Sequence, residues 1–562
     1  MLTQSEILDA MQFDLSLLNG NKLNGTGDPA YVIDYQFADN GQPADLWQTY
    51  SGWTAMSGPE KAAVRRAMDH IETFLNVSFV EVPASNDPTM NIGKVLIPGS
   101  TAGYGGYNYS AFSGGVLSDY DNFAVFDNGI NLADDSAHNL ILHEIGHALA
   151  LKHPFGTPAL PNTLENNKYT VMSYTSNPEN GQDSDAMMLY DILALQDWWG
   201  ATTDYNTGGT LYTGPRTNTI DPLWDTGGND TIDASGQSGA ARLDLREGYF
   251  SRFGSYDDVV IPYDVTIENA IGGMGGDTIN GNSAANTLIG RQGNDTLTAF
   301  EGADSLLGGN GNDLLGGGFG YDTLRGGNGD DTVNGGVGFD LMHGDAGNDS
   351  LDGGDGADRI FGGANADTIR GGKGNDTVTG GNGRDEARLG NGFDVFTDNA
   401  QGGDAGRDTV FGGNGNDTIN GGAGADVFYG EAGNDVLFGS NGFDRLLGGT
   451  NADRLYGGNG NDTLTGGLGQ DQMTGGTGLD HFVFASGFGY DTIFGFEAAD
   501  GENINLAGVA AITDFTDLIM HHLENADGTA RIVAGANSIL LDGVDFADVG
   551  VGLDYSGHDF IF

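Results

Sequence analysis

Gly412-Gly413-Asn414-Gly415-Asn416-Asp417-Thr418-Ile419-Asn420 is one link of a nine-residue period that occupies much of the chain's second half. From Asp277 an aspartate returns at every ninth position, as Asp295, Asp304, Asp313, Asp322, Asp331, Asp340, Asp349, Asp358, Asp367, Asp376, Asp385 and Asp394, with Asn286 the only substitution. Five extra residues then precede Asp408, and the series continues through Asp417, Asp426, Asp435, Asp444, Asp453, Asp462, Asp471 and Asp480. Two positions after each slot stands a side chain such as Ile279, Leu297, Leu324, Val333, Ile369, Val410, Leu464 or Phe482, with Ala387 the one weak member. A disordered Gly/Asp-rich tract has no need of an apolar residue held in phase, so the period is read as folded structure.

The repeat resembles the G-G-x-G-x-D-x-U-x nonapeptide of RTX proteins. That resemblance implies a parallel β-roll over 271–484 whose glycine turns bind calcium through the aspartates named above, about one ion per turn shared with its stacked neighbour. Burying one apolar side chain per nine ordered residues does not offset the lost conformational entropy, and stacked carboxylates repel. The roll is therefore expected to be unfolded without calcium and to fold at extracellular levels of the ion, roughly 10⁻⁴ to 10⁻³ M. Asn365 and Asn451 stand where glycine is expected and mark weaker sites. The slip at about 395–407 divides the roll into two blocks.

At 562 residues the chain exceeds one compact core, and its 98 glycines fall mainly after about residue 270. Lys and Arg number 22 against 79 Asp and Glu, a net charge of −57, which argues against nucleic acid and anionic membranes and for cations as partners. Zero cysteines exclude disulfides and thiolate metal sites, so a transition metal must be held by His, carboxylate or Tyr. No window of 18 apolar residues predicts a membrane span. The start, Met1-Leu2-Thr3-Gln4-Ser5-Glu6, shows no basic region and no apolar run of a cleavable signal.

The chemistry concentrates in His143-Glu144-Ile145-Gly146-His147-Ala148-Leu149-Ala150-Leu151-Lys152-His153. Asp134-Asp135-Ser136 offers N-cap oxygens and Ala137 to Leu142 is helix-compatible, so His143 and His147 lie one helical turn apart and can face one ion. Zinc suits them, and a catalytic zinc needs a third protein ligand and an open fourth position. His153 can supply that ligand if the chain turns back sharply before Pro154. Glu144 is left to take a proton from the zinc-bound water.

With Tyr169-Thr170-Val171-Met172-Ser173-Tyr174, the stretch resembles the metzincin zinc proteases, and its HEIGHAL wording and M-S-Y resemble the serralysins in particular. The resemblance implies that Met172 begins a turn beneath the zinc and that Tyr174 is a movable fifth ligand that hydrogen-bonds the tetrahedral intermediate. Serralysins usually have glycine where this chain has Ala150, and a Cβ in a left-handed turn costs roughly 1 to 2 kcal/mol.

Around this centre, strands are expected at 31–37, 77–82, 90–96 and 123–126, with helices at 58–75 and 186–199. By resemblance, the strand at 123–126 forms the edge along which a peptide substrate adds itself. A short helix at 6–18 lies in an arm or leader over 1–29. The catalytic domain is placed at 30–203 and a β junction at 204–270, where Gly209 stands at a position that is Asp in the family. A cap at 485–562 ends in Asp559-Phe560-Ile561-Phe562, which resembles the uncleaved signal of export by an ABC-type machine.

The fold class expected is thus an α+β metzincin catalytic domain followed by an all-β parallel β-roll. The function expected is a secreted zinc endopeptidase acting on protein or peptide substrates, with one catalytic Zn²⁺ and many structural Ca²⁺. The alternatives are a calcium-built surface or adhesive protein with an inactive protease-like domain, and a zinc hydrolase of non-peptide substrates.

Overall fold

The computed structural model describes residues 3–12, 30–39, 41–43, 50–83, 88–97, 101–109, 112–113, 116–117, 120–154, 159–161, 163–164, 166–174, 176–178, 186–214, 220–398, 406–497, 501–550 and 555–562. It falls into two compact units, 1–270 and 271–562.

The first unit opens with α1 (Gln4–Met11), started by a capping box between Thr3 and Glu6. Ile7, Ala10 and Met11 are buried, the Met11 carbonyl accepts from Lys152 N–H at 2.9 Å, and Gln12 Nε2 donates to Ala194 O at 2.8 Å. Residues 3–12 are therefore packed structure and not a loose arm. The rest of the predicted helix, and of 1–29, lies outside the described residues.

A mixed sheet follows, made of β1 (Tyr31–Phe37), β2 (Ser51–Thr54), β3 (Val77–Glu81), β4 (Met90–Leu96), β5 (Gly103–Tyr109) and β8 (Tyr120–Asp127), while β6 (Phe112–Ser113) and β7 (Val116–Leu117) pair only with each other. Its main order is β3-β1-β4-β8-β5, with β3, β1, β4 and β8 parallel, β5 antiparallel to β8, and β2 pairing antiparallel with β4 off that path. The strand over 123–126 is therefore inside the sheet. The edge beside it, among the described residues, is β5, whose glycine-rich Gly103-Tyr104-Gly105-Gly106 carries little strand signal.

Helix α2 (Gly58–Glu72) starts at a Ser57 capping box with Pro59 in its first turn and buries Ala63, Val64, Ala67, Met68 and Ile71. Helix α3 (His138–Ala148) is preceded by a 3₁₀ turn over Asp135–Ala137, and Asp134 Oδ1 caps that turn by accepting from Ser136 N–H at 3.0 Å. The predicted N-cap oxygens thus serve the turn and not the helix itself. Helix α4 (Leu189–Trp199) ends at Gly200, and Trp199 is fully buried. Short strands over 221–222, 250–251 and 259–260 form a separate small sheet.

The second unit is a parallel β-roll. Leu297 pairs with Leu315 and Leu315 with Val333 in one sheet, while Leu306 pairs with Leu324 in the other. One turn is therefore eighteen residues, two nonapeptides, with one strand in each sheet. The inward residues, Ala387 included, are at most 2% exposed, so each turn contributes two apolar side chains to a core one residue thick. Asn365 and Asn451 both adopt φ of +83°, the left-handed conformation that asparagine tolerates better than most residues. Strands at Tyr490–Phe494 and Asn503–Gly508 continue the stack, and Phe560, buried, pairs with Ile504.

Every slot residue of the repeat is buried. From Asp295 onward its Oδ1 accepts from the backbone N–H one turn earlier, as from Asp277 to Asp295 at 2.7 Å and from Asp444 to Asp462 at 2.8 Å. Oδ2 has no hydrogen-bond partner on any slot aspartate from Asp295 to Asp394 or from Asp417 to Asp480. A column of buried, unpartnered carboxylate oxygens is a donor set suited to a hard divalent cation, so the residues present fit calcium. Burial, and then neighbouring carboxylates, push Asp295 up to about 7 and Asp367 and Asp453 up to about 8. Without cations the folded roll binds more protons than the unfolded chain. Its stability is then greatest below the ordinary carboxylate range near 4 and is lost as pH rises through about 6 to 8. Far-UV circular dichroism in chelator should show the β signal absent at pH 7.5 and partly restored near pH 5, with calcium restoring it at pH 7.5.

Candidate metal centre

Helix α3 sets two imidazoles one turn apart, and a backbone carbonyl orients each. His143 Nδ1 lies 3.0 Å from Val171 O, and His147 Nδ1 lies 2.8 Å from Leu151 O. A carbonyl only accepts, so each Nδ1 carries the proton and each Nε2 presents a lone pair. After the helix, Leu151 N–H bonds back to Gly146 O at 2.9 Å and Ala150 takes φ of +80°, which swings the chain round and brings in His153. Its Nε2 lies 3.2 Å from that of His143 and 3.1 Å from that of His147. Tetrahedral ligands with Zn–N of about 2.0 to 2.1 Å stand about 3.3 Å apart, so the three nitrogens match a shared zinc. Burial first, and then the neighbouring histidines, lower His147 to about 3 and His153 to about 4, keeping both rings neutral and able to ligate at physiological pH.

Tyr174 Oη lies 2.7 Å from His153 Nε2, and its ring stacks on His143 at 5.5 Å, so the phenol reaches the point where the imidazoles converge. The tyrosine is otherwise largely exposed. Glu144 is 4% exposed, its Oε2 has no hydrogen-bond partner, and burial pushes its carboxyl up to about 8. Such a group takes up a proton readily near neutrality. The three histidines and Tyr174 are thus brought together, with Glu144 next to His143 on the same helix.

Several supports were not singled out. Helix α3 lies so close on β5 that a Cβ on Gly105 would stand 1.9 Å from Glu144 O, which explains the glycines of that edge. A Cβ on Gly146 would stand 2.8 Å from Met172 Sδ, so Met172 fits against the helix only because position 146 is bare. Asp191, fully buried, accepts from Thr170 Oγ1 at 2.6 Å, Val171 N–H at 2.7 Å and Met188 N–H at 2.9 Å. It thereby fixes the loop whose Val171 carbonyl orients His143. Lys168 pairs with Asp257, to which Arg242 and Arg252 also bond at 3.0 and 2.9 Å, bracing the loop from the side of the junction. Tyr50 packs its ring 6.3 Å from Tyr104 of β5, and its buried hydroxyl has no partner.

Comparison with known proteins gives family-model matches over the junction and the roll. Residues 203–446 match the family model for the serralysin C terminal of peptidase M10, and residues 438–473 and 447–482 match the RTX calcium-binding nonapeptide repeat. A serralysin of Photorhabdus luminescens is 33% identical over 292 residues, covering 46% of this chain and 60% of that protein. A serralysin of Proteus mirabilis is 31% identical over 338 residues, covering 50% of this chain and 67% of that protein. The metallopeptidase AprA of Pseudomonas marginalis is 28% identical over 343 residues, covering 48% and 69%. The chain thus spans about 60% of the length of the Photorhabdus relative. With a nonapeptide roll, a serralysin C-terminal match and two thirds of the Proteus protein covered above 30% identity, this chain belongs to the serralysin family.

Proposed function

We propose that this protein is a secreted zinc endopeptidase with a metzincin-type α+β catalytic domain over 30–203, a β junction over 204–270, and a calcium-folded roll. The observation that carries the reading is the convergence of three neutral imidazoles beside one buried, proton-avid carboxylate. His143, His147 and His153 would hold the zinc, with Tyr174 close enough to join them. Zinc bound there would supply a Lewis acid and bring the pKa of a water to about 7.

The chain's own residues do the rest. The open edge of β5 binds the main chain of an extended peptide, a mode that tolerates varied side chains. Glu144 Oε2 takes the proton of the attacking water and passes it to the leaving amine. Tyr174 Oη donates to the oxyanion of the tetrahedral intermediate. Asp191 holds the loop whose Val171 carbonyl keeps His143 from turning.

Casein hydrolysis by Glu144→Gln should fall about 10²- to 10⁴-fold, with zinc still near one per chain by metal analysis. Equal rates in variant and parent would remove the peptidase reading and leave a calcium-built protein. Ala150→Gly should retain zinc and raise the thermal midpoint of the first unit, because the strain of roughly 1 to 2 kcal/mol at a positive φ exceeds the roughly 0.4 to 1 kcal/mol gained by the unfolded chain. Ala150→Pro, with φ fixed near −65°, should lose zinc on dialysis.

A further inference from the structure

The roll holds one arrangement that the repeat does not generate. Four residues after Asp367 and Asp376 stand Gly371 and Gly380, where a Cβ would lie 2.5 and 2.7 Å from Oδ2 of the next slot aspartate. Four residues after Asp394 stands Asp398 instead. The five extra residues before Asp408 displace the next slot along the chain.

Asp398 meets Asp385 and Asp408, with a carboxylate oxygen of each within 4.8 Å of the other two. Among the described residues no other three acidic side chains come this close, so the regular turns do not make such a trio. All three are buried, at 2%, 7% and 1% exposure for Asp385, Asp398 and Asp408. Asp385 Oδ1 accepts from Asp367 N–H and Asp408 Oδ1 from Asp385 N–H, both at 2.8 Å, and Asp398 Oδ1 accepts from Gly381 N–H at 3.0 Å. Asp385 Oδ2 is buried with no hydrogen-bond partner. Three buried like charges and an unpartnered oxygen call for a cation, and an all-oxygen donor set selects a hard one.

We propose that Asp398 adds a third carboxylate to the calcium site between the slot aspartates Asp385 and Asp408, and that this added charge makes the site at the slip fill first. Affinity of oxygen sites for calcium rises with ligand charge and rigidity. An ion held here also ties Asp398 and Asp408, the two ends of the insertion, to Asp385 on the turn below. The inference rests on the calcium-binding roll and not on the zinc centre.

The test is calorimetric titration of the full chain, freed of metal by chelator, with calcium alone. The parent should show one ion bound about tenfold more tightly than the rest. Asp398→Asn should abolish that first phase and leave the later ones in place, whereas Asp313→Asn in a regular turn should spare it. Asparagine keeps the acceptor for Gly381 N–H, so a role as turn cap alone would leave the isotherm unchanged and overturn the proposal. Crystals given one terbium ion per chain supply a second reading that needs no variant: anomalous density at the trio supports the site, and density spread over regular turns overturns it. Absence of any calcium binding would sink the roll's calcium reading as a whole, a result distinct from loss of the first phase.

Discussion

The column of half-satisfied carboxylates governs the second half of this protein. The slot aspartates from Asp295 to Asp394 and from Asp417 to Asp480 each give one oxygen to a backbone N–H a turn away and keep the other bare and buried. Such a column is self-consistent only when something of opposite charge lies along it. The glycines follow from the same constraint, because a Cβ at such a position would press on the bare oxygen, as at Gly308, where it would stand 2.4 Å from Asp313 Oδ2. The acidity of the whole chain, −57, is therefore in large part a structural requirement of the roll.

The metal centre of the first unit is built differently, from a rigid scaffold with few charges. Its precision comes through backbone carbonyls: Val171 O and Leu151 O fix which nitrogen of each imidazole faces inward. Asp191 holds the first of those carbonyls from behind. Glycine then lets the scaffold close, at 105 under the edge strand and at 146 under Met172.

The histidines, Glu144 and the period of the roll were legible because their spacing alone encodes geometry: four residues make a helical turn, and nine make half a turn of roll. The edge strand over Gly103–Tyr109 was not, since its glycines carry no strand propensity and are there for the helix lying on them. The resemblance puts the edge at the strand over 123–126 instead, and that strand lies within the sheet. Asp191 stands in the sequence as one acidic residue in an apolar helix, and only its three hydrogen bonds reveal its work. Ala150 was legible as a departure, and the chain adopts the left-handed turn despite its methyl group.

The eighteen-residue turn makes the roll a linear array in which each unit couples only to its neighbours. Order in such an array is gained and lost by moving a boundary along the axis, like a zipper. The insertion after Asp394 is a defect in that lattice, and a boundary arriving there meets a different local energy from the one it met a turn before. Fourteen slots lie on one side of that defect and nine on the other, with both strand ladders paired across it.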